Sequence, residues 1–184
     1  QGNKGAFRLT LTDGSVVEAA HVVLAIGLQG NLRRIEVPGD DLPNVQYGLA
    51  DPNEFQGETI VVVGAGDAAI ENALALAAHN DVVILNRRDE FSRAKEGNLK
   101  GILRGIETGT LSCLYNAAPT RVEQQGDRLR LFVKGKEGPL ELDCDRIIAR
   151  LGAMPPRAFV ESCGVEFPSQ DANAVPVVSA QYES

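Results

Sequence analysis

The chain has 184 residues, of which 43% are hydrophobic and 23% are charged, and its formal net charge at pH 7 is −7. This composition is typical of one globular domain or slightly more. The negative charge argues against a general nucleic-acid binder, which would be basic. No apolar run approaches the length of a membrane span, and no leader peptide opens the sequence. We therefore expect a cytoplasmic protein that binds neither nucleic acid nor membrane.

The three cysteines, Cys113, Cys144 and Cys163, form no Cys-x-x-Cys pair. Their spacing matches neither a zinc nor an iron–sulfur site, so we expect no metal centre. Cys113 and Cys144 lie in apolar or alternating runs. Both are interpreted as reduced structural cysteines, which indicates a reducing compartment.

The first part of the chain predicts a hairpin, a strand and a connector. Residues 6–12 alternate apolar and polar side chains, Asp13-Gly14 predicts a turn, and residues 15–19 return as the second strand. Residues 21–27 form an apolar run that ends at a glycine, which indicates a short buried strand. Residues 28–51 show no hydrophobic period and are rich in turn formers, so they are a candidate domain boundary.

A strand–turn–helix unit dominates the middle of the chain. Residues 60–63 indicate a buried strand, Gly64 and Gly66 a turn, and residues 67–79 a helix with apolar side chains spaced to face a sheet. Further strands are predicted at residues 82–85 and 111–115, separated by a helix at 98–107 that Gly105 interrupts. This alternation predicts a parallel sheet with right-handed crossovers.

Beyond residue 120 the pattern changes to short antiparallel strands. They are predicted at residues 121–124, 129–133 and 140–143, and a buried strand follows at residues 145–152. The same order of hairpin and glycine-ended strand occurs at residues 7–27. We interpret this as an internal repeat, and we expect a longer protein with two dinucleotide-binding units, the first of which begins upstream of this chain.

The glycine turn has the features of a pyrophosphate site. A helix that starts after a strand leaves its first N–H groups unpaired and partly positive, which stabilises a phosphate. Gly64 allows the tight turn, Gly66 lets the phosphates approach the backbone, and Ala69 replaces the third glycine of the dinucleotide motif. The predicted site comprises Gly64, Ala65, Gly66, Asp67, Ala68 and Ala69. Asp67 is better explained as an acidic residue that suits the helix dipole than as a catalytic residue.

The end of the second strand predicts the choice of cofactor. NAD sites usually carry an acidic residue there, whereas this chain has Asn86, Arg87 and Arg88, with Arg93 nearby. Guanidinium groups suit the 2′-phosphate of NADPH, so NADPH is favoured over NADH. The alternative is a solvated basic loop before the second helix.

These motifs resemble the NADPH domain of thioredoxin-reductase-like flavoproteins in the pyridine nucleotide–disulfide oxidoreductase superfamily. The resemblance rests on residues 64–69 and 86–94, and Asn86-Arg87-Arg88 stands where the family has His-Arg-Arg. The run Ala25, Ile26 and Gly27 is similar to the family's Ala-Thr-Gly near the crossing from the FAD domain. The resemblance implies that these three residues lie on the FAD side and that Gly152 lets the backbone pass close to NADPH.

The chain departs from disulfide-reducing members of the family at one place. Thioredoxin reductases carry a redox Cys-x-x-Cys just before the NADPH-domain strand, but residues 47–55 contain no cysteine. Dithiol exchange needs a nucleophilic thiolate and a resolving partner. The closer analogy is therefore with ferredoxin–NADP reductases of the thioredoxin-reductase type.

Together these patterns predict an α/β fold with a Rossmann-like parallel sheet and an antiparallel β-meander, flanked by partial FAD-domain segments. The expected divisions are residues 1–50 on the FAD side, 51–157 as the NAD(P)H-binding domain, and 158–184 returning toward the FAD domain. We expect NADPH and FAD as cofactors, an electron acceptor of unknown identity, no catalytic side chain in this chain, and a homodimer as a possible assembly. The alternatives are a nucleotide-binding regulatory or sensing module and a flavin monooxygenase.

Overall fold

A computed structural model describes residues 1–3, 5–27, 30–171 and 174–180 of the chain. In chain order its strands are β1 (Gly2–Asn3), β2 (Ala6–Thr10), β3 (Val16–Ala19), β4 (Val45–Gln46), β5 (Thr59–Val63), β6 (Asp81–Asn86), β7 (Ser112–Tyr115), β8 (Ala118–Gln125), β9 (Arg128–Gly135), β10 (Gly138–Cys144) and β11 (Arg146–Ala149). The helices are α1 (Asp67–Leu76), α2 (Glu96–Glu107) and α3 (Arg157–Ser162), with a short 3-10 helix at Pro52–Glu54.

A five-stranded parallel sheet forms the centre of the fold, in the order β4-β11-β5-β6-β7. Its strands read as near-continuous apolar runs because both faces of the sheet are covered, as is usual for parallel sheets. Side chains alternate between the faces along β5: Ile60 and Val62 pack on one side, Val61 and Val63 on the other. The predicted α/β class with a parallel sheet is confirmed.

Helices α1 and α2 cover one face of this sheet. Ala69, Ile70, Ala73 and Leu76 of α1 are fully buried there, as is Ile102 of α2. Gly105, expected to interrupt α2, is instead buried within the helix. Its backbone lies close to Leu74 and Leu111, and a built Cβ at Gly105 would meet their methyl groups at 3.4 and 3.6 Å. The helix therefore continues through this glycine, and the packing around it leaves room for a methyl group.

The antiparallel meander of β8, β9 and β10 forms as predicted, and it covers the other face of the central sheet. Leu129, Leu131 and Val133 of β9 are buried against the side chains of the central sheet. The connector before the sheet also packs on the meander. The N–H of Val122 donates to the carbonyl of Pro38 at 2.8 Å, and Gly39, with φ 83°, lies directly against the Val122 carbonyl.

The connector also contains a strand that the sequence pattern did not predict. Val45–Gln46 pairs with β11 at the edge of the central sheet, although residues 28–51 show no period. Two residues are too few for any period to appear, and the strand exists because β11 offers it a free edge. The boundary predicted at residue 50 stays a prediction, and β4 lies on its N-terminal side.

The predicted strand at residues 21–27 is wrong. The hairpin of β2 and β3 forms as expected and gains β1 at its edge, but no strand follows β3 before β4 in the described residues. Residues 21–27 are exposed, and Val23 retains 87% of its accessible surface. A strand needs the backbone of a neighbour, and no described segment lies beside this one. The second copy of the proposed repeat therefore has its strand, β11, and the first does not.

The last segment is held by one arginine. Arg157, at the start of α3, pairs with Glu161 at 2.8 Å and donates to the carbonyls of Asp171 and Ser169.

No helix within the described ranges has the length and apolar character needed to cross a bilayer. Nor do metal-binding side chains cluster in threes or more among those residues.

Candidate functional site

The turn after β5 lies at the carboxyl edge of the sheet. Gly64 has φ 134°, and its N–H donates to the carbonyl of Leu85 at the end of β6 at 3.1 Å. A Cβ built on Gly64 would lie 2.5 Å from the carbonyl oxygen of Arg150 and 3.3 Å from the Cβ of Ala69. Gly64 is therefore required by the fold, both for its backbone conformation and for the close approach of strand and helix.

Gly66 differs from Gly64 because nothing in the described part of the protein requires a glycine there. Its φ of −91° is accessible to any residue, and a Cβ built there would have no described atom within 4 Å. It is the N-cap of α1, without a capping side chain. Among the described residues, no group accepts a hydrogen bond from the N–H groups of Gly66, Asp67 or Ala68. The turn thus presents free donors to open space at a positive helix end.

Asp67 joins the beginnings of the two helices. Its carboxylate accepts from the N–H of Lys95 at 2.9 Å and from the side-chain amide of Asn98 at 2.8 Å, and that amide also donates to Glu71. The bond from Lys95, followed by that from Asn98, lowers the pKa of the Asp67 carboxyl. The carboxylate thus has protein partners and supports the turn from the side. Lys95 and Asn98 were not predicted here, because their spacing from Asp67 shows no motif.

The loop after β6 presents three arginines. Arg87, Arg88 and Arg93 are all exposed. The guanidinium of Arg88 donates to the hydroxyl of Ser92 at 3.0 Å, while the side chains of Arg87 and Arg93 have no partner within the described ranges. No carboxylate within those ranges pairs with any of the three, so their charge is available to a ligand.

The buried side chain of Asn86 holds the backbone of this loop. It is 1% exposed, and its amide donates to the carbonyl of Glu90 and accepts from the N–H of Arg88, each at 2.9 Å. The polar atoms of the Asn86 side chain are therefore used inside the loop. This geometry makes Asn86 a residue that positions the arginines, whereas the sequence pattern placed it with the residues that contact the cofactor.

The segment after β11 runs beside the glycine turn. The N–H of Arg150 donates to the carbonyl of Val63 at 2.8 Å. Gly152 is exposed with φ 84°, and its carbonyl accepts from the N–H of Arg33 at 2.9 Å. Gly152 thus turns the chain close to the carboxyl edge of the sheet. Arg150 was not singled out, although a charged residue within the apolar run of residues 147–152 is an unusual feature.

The predicted FAD-side residues Ala25, Ile26 and Gly27 lie in the exposed segment that forms no strand. They are far in sequence from the turn at Gly64, and the described contacts do not bring the two groups together.

Two cysteines are structural, as expected: burial raises the pKa of the Cys113 thiol to about 11 and that of the Cys144 thiol to about 12. All three cysteines are free.

Comparison with known proteins identifies relatives of about twice this length. The chain is 34% identical over 155 residues to the ferredoxin–NADP reductase of Ignicoccus hospitalis, covering 83% of this chain and 50% of that one. It is 30% identical over 154 residues to the ferredoxin–NADP reductase of Thermus thermophilus, covering 79% and 45%. The chain therefore spans about half the length of the curated relatives it matches.

Solved structures share the fold. The bacillithiol disulfide reductase of Staphylococcus aureus matches with a TM-score of 0.84 at 23% identity, over 97% of this chain and 55% of that one. The thioredoxin reductase of Lactococcus lactis matches with a TM-score of 0.77 at 23% identity, over 94% and 56%. The description that matches residues 1–184 is pyridine nucleotide-disulphide oxidoreductase, and the chain belongs to this family.

Proposed function

We propose that the chain is the NADPH-binding part of an FAD-dependent oxidoreductase. One observation carries the proposal: a glycine turn whose N–H donors have no acceptor among the described residues stands next to a loop with three arginines that pair with no described carboxylate. The turn follows β5 and the loop follows β6, which are adjacent parallel strands. This is the arrangement that a phosphorylated dinucleotide requires.

The residues fit the cofactor in three respects. Gly66 has neither a backbone nor a packing reason to be glycine, so the open space beside it suits a pyrophosphate. The N–H groups of Gly66, Asp67 and Ala68 donate to that group. The guanidinium groups of Arg87, Arg88 and Arg93 bind the 2′-phosphate with charge-assisted hydrogen bonds. Bound NADPH supplies a hydride from its nicotinamide ring.

No side chain of this chain needs to act as an acid or a base in that role. The protein holds the cofactor in place, and Asn86 and Asp67 hold the groups that contact it. The chain's similarity to ferredoxin–NADP reductases supports FAD as the hydride acceptor in the longer protein. The absence of cysteine from residues 47–55 supports a final electron acceptor other than a Cys-x-x-Cys dithiol. We further propose that residues 51–157 form the NAD(P)H-binding domain and that the flanking segments lie toward the FAD domain.

The arginine loop provides the test. Replacing both Arg87 and Arg88 by alanine should weaken NADPH binding by roughly 10- to 1000-fold, since each charged hydrogen bond contributes about 1.5–3 kcal/mol and neighbouring groups compensate for part of the loss. NADH binding should change little, because NADH lacks the 2′-phosphate. Isothermal titration calorimetry with both nucleotides measures the two affinities.

The matched control is Arg104→Ala, which removes an exposed arginine from α2 outside the loop. It should leave both affinities unchanged. Equal losses for NADPH and NADH in the double variant would contradict the assignment of the loop to the 2′-phosphate.

A further inference from the structure

The arginine loop, residues 87–95 between β6 and α2, is held to the core by one buried side chain. Phe91 is 3% exposed, whereas every other residue of this loop is exposed or half-buried. Phe91 belongs to the core cluster that α1 and α2 form with the central sheet. It stands between Arg88 and Arg93 in the sequence, so its burial fixes the backbone from which both arginines extend.

The ring of Phe91 lies against Tyr115, the last residue of β7. The two ring centroids are 5.7 Å apart and the ring planes meet at 71°, which is the edge-to-face geometry that aromatic pairs favour. Tyr115 is half-buried against the same core cluster, and its side chain shares a hydrogen bond with that of Cys113 on the same face of β7. The loop thus rests on a side chain that the sheet holds in place.

The backbone after β7 adds two hydrogen bonds to the same segment. The N–H of Asn116 donates to the carbonyl of Arg88 at 3.0 Å. The N–H of Ala117 donates to the carbonyl of Asn86, also at 3.0 Å. Asn116 has φ 52°, a left-handed conformation that is uncommon outside glycine and that asparagine adopts more readily than most residues. The corner between β7 and β8 therefore fits the loop through one ring contact and two backbone bonds.

The conformation of the loop backbone matters because the guanidinium groups have few contacts of their own. Among the described residues, only the bond from Arg88 to Ser92 orients any of the three. Their charges therefore lie where the loop backbone places them. A site that is competent for only a fraction of the time binds its ligand more weakly by that fraction, and ordering a loop on binding costs affinity. Only a ligand group that the loop contacts is affected in this way.

We propose that Phe91 is a positioning residue that sets the preference for NADPH over NADH: its ring, packed on Tyr115, holds the arginine loop in the conformation that receives the 2′-phosphate. Phe91 contacts no ligand, because its ring lies inside the core. The guanidinium groups supply the charge, and the buried ring determines how much of the time they are in place. This inference rests on the proposed function and adds to it a residue outside the binding surface.

Removing the ring while keeping the arginines tests this role. Phe91→Ala should lower the ratio of NADPH affinity to NADH affinity by roughly 10-fold, which corresponds to a loop that is in place about a tenth of the time. NADH affinity should change by less than about twofold, because NADH has no 2′-phosphate for the loop to receive. Phe91→Leu, which keeps an apolar side chain but no ring, should lower the ratio by about 2- to 5-fold. Calorimetry on the 184-residue chain measures both affinities.

Two controls separate positioning from other roles. Ile102→Ala removes a fully buried side chain of the same core cluster from α2, so it should lower stability, as Phe91→Ala does, and leave the affinity ratio unchanged. Tyr115→Phe keeps the ring that Phe91 contacts and removes the hydroxyl, and it should also leave the ratio unchanged. Thermal unfolding of each variant ensures that affinities are compared on folded protein.

The outcomes are distinct. An unchanged ratio in Phe91→Ala would overturn the inference alone, and so would equal losses of both nucleotides, because Phe91 would then only stabilise the fold. A lowered ratio in Ile102→Ala or in Tyr115→Phe would also overturn it, since a core cavity elsewhere or a hydroxyl contact would then have the same effect. If Phe91→Ala does not fold, Phe91→Leu decides by the same criteria. A wild-type chain that binds NADPH no better than NADH, or binds neither, would refute the proposed function itself.

Discussion

The two glycines of the turn are glycine for different reasons. Gly64 has a left-handed backbone and lies against the carbonyl of Arg150, so a side chain there conflicts with the protein itself. Gly66 has an ordinary backbone and open space beside it. A dinucleotide fingerprint in a sequence cannot separate these two roles. The structure separates them, and the proposed function gives the ligand-facing role to Gly66.

Asp67 likewise has one role that the sequence suggested and one that it did not. As an acidic residue in the first turn of α1 it suits the helix dipole. Its carboxylate also bonds to Lys95 and Asn98 at the start of α2, and these bonds lower its pKa. It therefore fastens the two helices together at the edge of the site.

The pH dependence of stability tests this role. Because the folded pKa of Asp67 lies below its ordinary value of 3.8, the stabilisation is complete above that value and is lost as the pH falls through the folded pKa. Asp67→Asn, which removes the charge, should lower the free energy of unfolding at pH 7, and the difference from the wild type should shrink below pH of about 4. Urea unfolding at a series of pH values measures it. Asp89→Asn, at an exposed loop position, is the control. If the free energies of unfolding of the wild type and Asp67→Asn differed by the same amount at every pH, the role of the charge would be contradicted.

At the scale of elements, the sequence pattern predicted most accurately the strands that are buried on both faces, because such burial restricts them to apolar residues. The strands β5, β6 and β11 are continuous apolar runs because helices cover one face and the meander covers the other. The pattern predicted least accurately the segments that become strands only when another strand lies beside them. Val45–Gln46 is a strand only because β11 has a free edge, and residues 21–27 are not one because no described strand lies beside them.

The site was predicted to a similar degree. Gly64, Gly66 and the three arginines follow from spacing after a strand, since parallel strands bring their carboxyl ends to one edge. Asn86 was expected to contact the cofactor, but its amide bonds to the loop backbone instead. Arg150 lies 86 residues beyond Gly64 in the sequence, and only the pairing of β11 with β5 brings the two together.

Gly105 lies inside the continuous helix α2, although the sequence predicted a break at this residue. A glycine in a helix costs about 0.5–1 kcal/mol relative to alanine, which is why a break was expected. A Cβ at this position would make ordinary contacts with Leu74 and Leu111. Gly105→Ala should therefore raise the free energy of unfolding by about 0.5–1 kcal/mol, as measured by urea or thermal unfolding.

Gly97 offers a matched comparison for this substitution. It is exposed in the first turn of α2, with no described atom within 4 Å of a built Cβ. Gly97→Ala should stabilise by no more than Gly105→Ala, because it gains no packing contact. A destabilised Gly105→Ala protein would mean that α2 lies closer to Leu74 and Leu111 than the structure places it.

For the whole molecule, the arginine loop is a local positive feature on a chain of net charge −7. A global excess of negative charge opposes an anionic ligand at long range, but screening limits that effect to about 8–10 Å at ordinary salt. Recognition of a phosphorylated dinucleotide must therefore come from the unpaired groups at the carboxyl edge of the sheet. These groups come from segments that follow two adjacent parallel strands, β5 and β6.

Ligand-linked stability tests this conclusion. At a free concentration of about 100 times its dissociation constant, a ligand specific for the folded state adds about 2.7 kcal/mol to the free energy of unfolding. For a chain of this size, NADPH should then raise the melting temperature by roughly 5–10 °C. NADH at the same concentration should raise it less, and the variant lacking Arg87 and Arg88 should respond equally weakly to both nucleotides. Differential scanning fluorimetry measures all four combinations. A wild-type shift of the same size for both nucleotides would show that the arginines of the loop do not recognise the 2′-phosphate, and would contradict their place in the binding site.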